Sequence, residues 1–187
     1  LCSDYYKHFS GEVVTRTHNV IRQLEIPLDA LWMDCKPKVR KNVKRAKKCG
    51  LQIIIENEGK YLDDFLRIYY KTMERTNAEE RFFFSKAFFE TLNQMKDNIC
   101  YFHVLCHDEE AKIDRIISTE MVIYGSENAY SFLGGTDQEY YHMRPNDFLK
   151  WEIIKWAKEK GLKNFVLGGG YGADDGIFEY KKCLAPN

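Results

Sequence analysis

The spacing of apolar side chains divides the chain into helical and extended segments. Between residues 61 and 75, Leu62, Phe65, Leu66, Tyr69 and Met73 recur every three or four positions, the signature of a helix with one buried stripe. Residues 38–49 repeat the pattern with Val39, Val43 and Ala46, and Gly50 stands where such a helix stops. Ser85 caps a further helix carrying Phe88, Phe89, Leu92 and Met95, while Pro27 and Asp29 open a short one that runs to Trp32. Elsewhere, β-branched or alternating runs predict strands at 51–55, 100–106, 113–124, 128–133 and 164–167, with turns at 107–112 and 125–127. A weaker alternation over 12–21, ending in Arg22, fits a strand on the rim of a sheet.

The densest signal lies toward the C-terminal end. The strand through Leu133 ends at Gly134 and Gly135, and Pro145 occupies a helix start, where its fixed φ and missing N–H cost nothing. That helix runs to Gly161, a natural C′ residue. Amides at a helix start point outward with partial positive charge, so a phosphate, a carboxylate or a developing oxyanion can be held beside Pro145. The glycine-rich stretch 168–176 lacks G-K-[ST] and the dinucleotide spacing, which excludes both nucleotide motifs. Asp174 and Asp175 within it read as turn formers.

At 187 residues and 44% hydrophobic content the chain supports one domain of ordinary size, and a formal net charge of zero argues against wholesale affinity for nucleic acid or membranes. Charge therefore matters locally. Residues 36–48 are rich in Lys and Arg and hold no acid, so Arg40 and Lys44 are candidates to meet nucleotide or tRNA phosphates, the alternative being a solvated helix face. Arg75 precedes a polar loop and could clamp a diphosphate or carboxylate, or pair with Glu79 or Glu80. Glu120 sits among Ile116, Ser118, Val122 and Tyr124 on one strand face, where partial burial would suit a general base; a satisfied structural carboxylate is the alternative. Phe82 and Tyr141 are candidates to line an acceptor groove. Six cysteines without a C-x-x-C pair or a nearby histidine cluster read as reduced thiols of a cytoplasmic protein without a metal site. No apolar run approaches the ~20 residues of a membrane span.

The segments KVRKNVKRA (38–46), TMER (72–75), FLGG (132–135), RPN (144–146), KG (160–161) and LGGG (167–170), closing on EYK (179–181), resemble the second GNAT-like half of the Fem aminoacyltransferases and related acetyltransferase domains. The likeness runs from about Val13 onward, and the order of elements is that of the GNAT fold: an α+β architecture with a mixed, mostly antiparallel sheet flanked by helices. It implies a single GNAT-like domain over 1–187, with a rim strand and opening helix in 1–35 and the core in 36–187. The start at Leu1 adds the expectation that this is the C-terminal part of a two-domain chain, whose first GNAT-like domain is missing here.

The resemblance further implies transfer of an acetyl or aminoacyl group to an amine on a small molecule or a cell-wall (peptidoglycan) precursor. The donor would be acetyl-CoA, another acyl-CoA, or aminoacyl-tRNA, with no metal. Lys181 matches the lysine of the family's Phe-Lys pair, with Tyr180 in place of the aromatic, and its ammonium would stabilise the tetrahedral oxyanion. A solvated edge-strand pair, Lys181 and Lys182, is the plainer reading. Gly134, Gly135, Arg144 and Asn146 would face the donor; Arg40, Lys44, Arg75 and Tyr141 would face the substrate. Where GNAT enzymes carry [RQ]-x-x-G-x-[GA], this chain reads YYHMRPN (140–146), which predicts a weak grip on acyl-CoA. The other function class is a catalytically silent module that binds a partner or nucleic acid through the basic helix 36–48.

Overall fold

A computed structural model describes residues 8, 10–12, 18–108, 112–170 and 176–186. The elements follow in the order β1 (Val20–Gln23), α1 (Leu28–Asp34), α2 (Pro37–Lys48), β2 (Gln52–Glu56), α3 (Leu62–Arg75), α4 (Lys86–Leu92), β3 (Ile99–Asp108), β4 (Ile113–Tyr124), β5 (Asn128–Thr136), α5 (Pro145–Glu159), β6 (Asn164–Gly168) and α6 (Gly176–Leu184). All six strands join one sheet, ordered β1-β6-β5-β4-β3-β2. β3, β4 and β5 pair in sequence order as an antiparallel meander, whereas β6 lies parallel to β5 and therefore needs the crossover that α5 supplies. This is the mixed, mostly antiparallel α+β arrangement expected.

Each face of the sheet has its own core. On one, Leu62, Phe65, Leu66 and Tyr69 of α3 and Phe89 of α4 pack on Ile99, Tyr101 and Met121. Phe65 meets Phe89 and Tyr101 edge-on, with ring centres 5.2 and 5.4 Å apart. On the other, α5 presses Trp151, Ile153, Ile154, Trp156 and Ala157 into a cluster that includes Val39, Val43 and Ala46 of α2 and Leu184 of α6. Since α5 is buried nearly all round, its apolar residues form no single stripe. In the middle of the sheet, β4 is buried without interruption from Ile116 to Val122, as a strand covered on both faces must be. On the sheet's rim, buried Arg22 ties β1 to α1 through Asp34 and the Leu31 carbonyl, the latter at 2.9 Å.

Two register shifts shape the interior. Between β3 and β4 the pairing jumps from Val104↔Ser118 to Leu105↔Ile116, leaving Ile117 as the extra residue, which turns into the α5-side core. The face expected to run from Ile116 through Glu120 is therefore broken at its start. Between β4 and β5 the jump from Met121↔Leu133 to Val122↔Ser131 makes Phe132 the extra residue. Just there β5 also leaves β6, because their pairing covers only Asn128, Ala129 and Tyr130.

Three local expectations need revision or fall out of view. Lys181 and Lys182 belong to helix α6, not to an edge strand, because Tyr180, Cys183 and Leu184 at helical spacing all pack on the α5-side core. Within the expected rim strand 12–21, residues 13–17 lie outside the described residues, and β1 begins at Val20. Asp174 and Asp175 lie outside them too. No helix among the described residues is long and apolar enough to cross a membrane.

At Gly134 an added Cβ would stand 2.3 Å from the Thr119 carbonyl oxygen and 2.9 Å from the Glu120 Cα, both backbone atoms with little freedom to move. Gly134→Ala should therefore lower stability by about 1–3 kcal/mol in urea unfolding. Gly125→Ala, where a Cβ meets nothing within 4 Å, should be close to neutral and serves as the control.

Candidate active site

Where β5 parts from β6, a cavity of about 490 Å³ opens between α3, the start of α5 and α6. Its floor is the β4–β5 pair from Thr119 and Glu120 to the bulged stretch of β5. The start of α5 forms one wall. Asp137 closes β5, its Oδ1 accepting from the Glu139 amide at 3.3 Å, and a 3₁₀ turn then leads to Arg144. Arg144 adopts a left-handed conformation, φ 64°, which costs a non-glycine residue about 1–2 kcal/mol. Pro145 follows as the first helical residue, so the outward-pointing amides begin at Asn146.

The opposite wall comes from α6. Asn146 Nδ2 donates to the Tyr180 hydroxyl at 3.0 Å, and Lys181 Nζ donates to the Gly169 carbonyl at 2.6 Å. Burial, reinforced by the charges of Asp147 and Glu120, pushes the Tyr180 phenol well above its usual range, so it stays protonated as a hydrogen-bond donor. Asp147, also in the wall, is buried, and its Oδ2 accepts from Asn42 Nδ2 of α2 at 3.0 Å. Desolvation raises its pKa against the opposing pull of Asn42, Arg144 and Lys38.

Beneath the cavity lies a buried ion pair. Lys150 Nζ approaches Glu120 Oε2 to 2.5 Å, with side chains only 9% and 5% exposed, and also donates to Ser131 Oγ at 2.8 Å. The second Glu120 oxygen, Oε1, is buried with no hydrogen-bond partner among the described residues. At the rim the Arg75 guanidinium stands 5.7 Å over the Tyr141 ring, and exposed Phe132 and Ile177 supply apolar surface. Among the described wall residues, Arg75, Arg144, Lys150 and Lys181 face only Glu120 and Asp147, so the cavity favours an anion.

Nine of the twelve residues singled out from the sequence meet in this cavity: Lys181, Tyr180, Glu120, Gly134, Gly135, Arg144, Asn146, Arg75 and Tyr141. The two glycines line it for a packing reason, since a Cβ on Gly135 would strike Thr72 Oγ1 at 2.2 Å and one on Gly134 would strike β4. Arg40 and Lys44 lie elsewhere. Arg40 donates to the Met33 and Cys35 carbonyls at 2.5 and 2.6 Å and so ties α1 to α2, while Lys44 is exposed on the outer face of α2. Helix α2 reaches the site through Asn42 instead. Phe82 is not in the wall, and Glu79 pairs with Arg81 rather than with Arg75. Thr72, Thr119, Asp147 and Lys150 escaped the sequence reading. For Asp147 and Lys150 a signal existed: charges set into the buried helical run around Phe148, Leu149 and Trp151.

A larger depression, about 640 Å³, lies along α3 and the start of β4. Several of its charges pair with one another, with Arg67 bound to Asp64 at 3.0 Å and the Ile116 carbonyl at 2.9 Å, and both Arg67 and Lys71 3.7 Å from Asp137. The cavity framed by β5, α5 and α6 is the one that gathers most of the residues singled out from the sequence.

The sequence model of the acetyltransferase (GNAT) domain family matches residues 34–182. No curated protein matches the chain. Among solved structures, FemX superposes with a TM-score of 0.77 at 15% identity, over 89% of this chain and 58% of its own. The C-terminal domain of a putative lysylphosphatidylglycerol synthetase from Agrobacterium fabrum gives 0.63 at 16% identity, over 92% and 58%. L-PGS from Bacillus licheniformis gives 0.61 at 15% identity, over 90% and 57%. These are likenesses of fold, and the chain spans less than three-fifths of each of these proteins.

Two measurements probe the electrostatics. Lys150→Met leaves the Glu120 carboxylate buried without its partner and should cost about 3–5 kcal/mol, whereas Glu120→Leu combined with Lys150→Met should cost far less than the two single changes added, in a double-mutant cycle by denaturant unfolding. For Asp147, a pKa raised by folding means that the folded state holds the proton more tightly. The stability of the protein relative to Asp147→Asn should therefore be highest below the ordinary value of 3.8 and fall as pH rises through the raised value, read from chemical melts at stepped pH.

Proposed function

The chain belongs to the acetyltransferase (GNAT) domain family, and from that premise we propose that it transfers an acetyl or aminoacyl group to an amine in the cavity framed by β5, α5 and α6. The observation that carries this reading is the entry of Tyr180 and Lys181 from α6 into the same cavity as the start of α5 and Glu120. The acyl carbonyl lies against α6, where the Lys181 ammonium meets the oxyanion as the amine adds. Tyr180, protonated and held by Asn146, is placed to donate to the departing group. Arg144 and the α5 amides hold the donor's negative charge, while Arg75 and Tyr141 at the rim receive the acceptor. Glu120 is tied to Lys150 through one oxygen, which supports a role in setting the field of the site as much as in taking a proton.

The donor is an acyl-CoA or an aminoacyl-tRNA. A 3₁₀ turn followed by a proline stands where a glycine-rich cradle would bring amides onto a pyrophosphate, which favours a donor held through more than that loop. The acceptor is an amine on a small molecule or a cell-wall precursor, and a first GNAT-like domain would complete the groove for it. One observation supports the second reading, a nucleic-acid-binding module: Lys38, Lys41, Lys44, Arg45 and Lys48 are all exposed along α2.

Lys181→Met should lower turnover about a hundredfold with little change in KM, because the charge it stabilises exists only in the transition state. Steady-state transfer kinetics on the folded variant decide it. Wild-type turnover in the variant would remove Lys181 from the chemistry, and an inert parent chain that binds RNA with a steep salt dependence would favour the module.

A further inference from the structure

On the α3 side of the sheet, three polar groups bridge the far edge of the sheet to the cavity. His103 lies in the middle of β3, fully buried, opposite Ile54 on β2 and Thr119 on β4. Its Nδ1 stands 2.8 Å from Thr119 Oγ1 and its Nε2 stands 3.4 Å from Glu56 Oε1. The other Glu56 oxygen accepts from the amides of Glu58 and Lys60, at 2.8 and 3.2 Å. Tyr101 stacks on the imidazole with ring centres 5.9 Å apart, and Tyr61 meets it edge-on at 5.5 Å. Each group is thus oriented by the next: amides hold Glu56, Glu56 holds His103, and His103 holds the hydroxyl of Thr119, a wall residue of the cavity. Burying an imidazole fully, with a carboxylate only 14% exposed beside it, is costly where an apolar pair would serve the core.

We propose that Thr119, His103 and Glu56 form a relay that removes the proton released when the acceptor amine is acylated. This inference rests on the acyl-transfer reading. An ammonium that becomes an amide loses two N–H protons, of which one leaves with the departing group and one needs a base. Thr119 Oγ1 takes that second proton from the amine as its own hydroxyl proton passes to His103 Nδ1, and the resulting imidazolium donates through Nε2 to Glu56. Thr119 is the catalytic residue in this step, and His103 and Glu56 act through it.

Electrostatics around the ring agree with this direction of transfer. Burial works against the Glu56 carboxylate, but His103 and the two backbone amides outweigh it and hold its pKa below the usual range, so it remains a counter-charge for an imidazolium. The other groups facing His103 are the Tyr61 and Tyr101 phenols, with the Lys60 ammonium beyond, 5.2 Å from the Tyr61 ring. Burial and then Glu56 push the Tyr101 phenol far up, and it donates to Asn93 Oδ1 at 2.7 Å.

Two independent readouts test the relay. Nitrogen NMR of the imidazole should show the neutral Nε2–H tautomer, with Nδ1 accepting from Thr119; a proton fixed on Nδ1 reverses the chain and overturns the proposal. In transfer from acetyl-CoA or an aminoacyl-tRNA pool to a lysine-containing peptide, Thr119→Val should lower kcat about a hundredfold at nearly constant KM, while Thr119→Ser stays within a few-fold of wild type. His103→Gln should lower kcat about as far as Thr119→Val at nearly constant KM, and the two changes together should cost no more than either alone, a non-additivity that lost packing alone does not produce. An active wild type matched by Thr119→Val sinks the relay alone. A wild type inert with both donors removes the acyl-transfer reading and the relay with it.

Discussion

Backbone pairing between β5 and β6 ends at Tyr130, and the rest of the site depends on that parting. Strand groups that leave a ladder must find other partners or water, so an opened sheet is a place where polar chemistry can enter an otherwise apolar interior. Here the parting coincides with the bulge at Phe132, where β5 shifts its register against β4 just past its last pairing with β6. The gap is framed by elements that cannot drift. Helix α5 is buried nearly all round, and α6 is pinned to the same core through Cys183 and Leu184.

Charge inside this frame is arranged so that cations outnumber carboxylates at the surface of the cavity while the deepest pair is neutralised. Lys150 and Glu120 sit where either alone would be expensive, and Ser131 helps hold the ammonium in place. Tyr180 and Asp147 are both biased by burial toward their protonated forms. A site of this kind presents positive charge and hydrogen-bond donors to a negative ligand, as transfer of an acyl group from a charged carrier demands. The two faces of the sheet also take different parts. The α5 side supplies Glu120, Lys150 and Asn146, and the α3 side supplies Thr119 with His103 and Glu56 behind it.

Local pattern determined a great deal of this protein. Helical stripes such as Leu62, Phe65, Leu66 and Tyr69, the Ser85 cap, the meander turns and Pro145 at a helix start are signals carried by a few neighbouring residues, and each element stands within a few positions of where those signals put it. The tail from Gly176 to Leu184 carries a helical stripe of its own, Tyr180, Cys183 and Leu184, where the alternative reading had an edge strand. Tertiary structure alone decided the rest. A bulge is a mismatch between two strands, so neither β4 nor β5 by itself could announce Ile117 or Phe132 as the extra residue. Arg40 and Arg75 are the same residue type on similar helices, and only packing turned one inward to the α1 carbonyls and left the other over Tyr141 at the cavity rim. Contacts between Asn42 and Asp147, Glu120 and Lys150, or Glu56, His103 and Thr119 join positions far apart in the chain, and such pairings exist only once the sheet and its helices have closed around them.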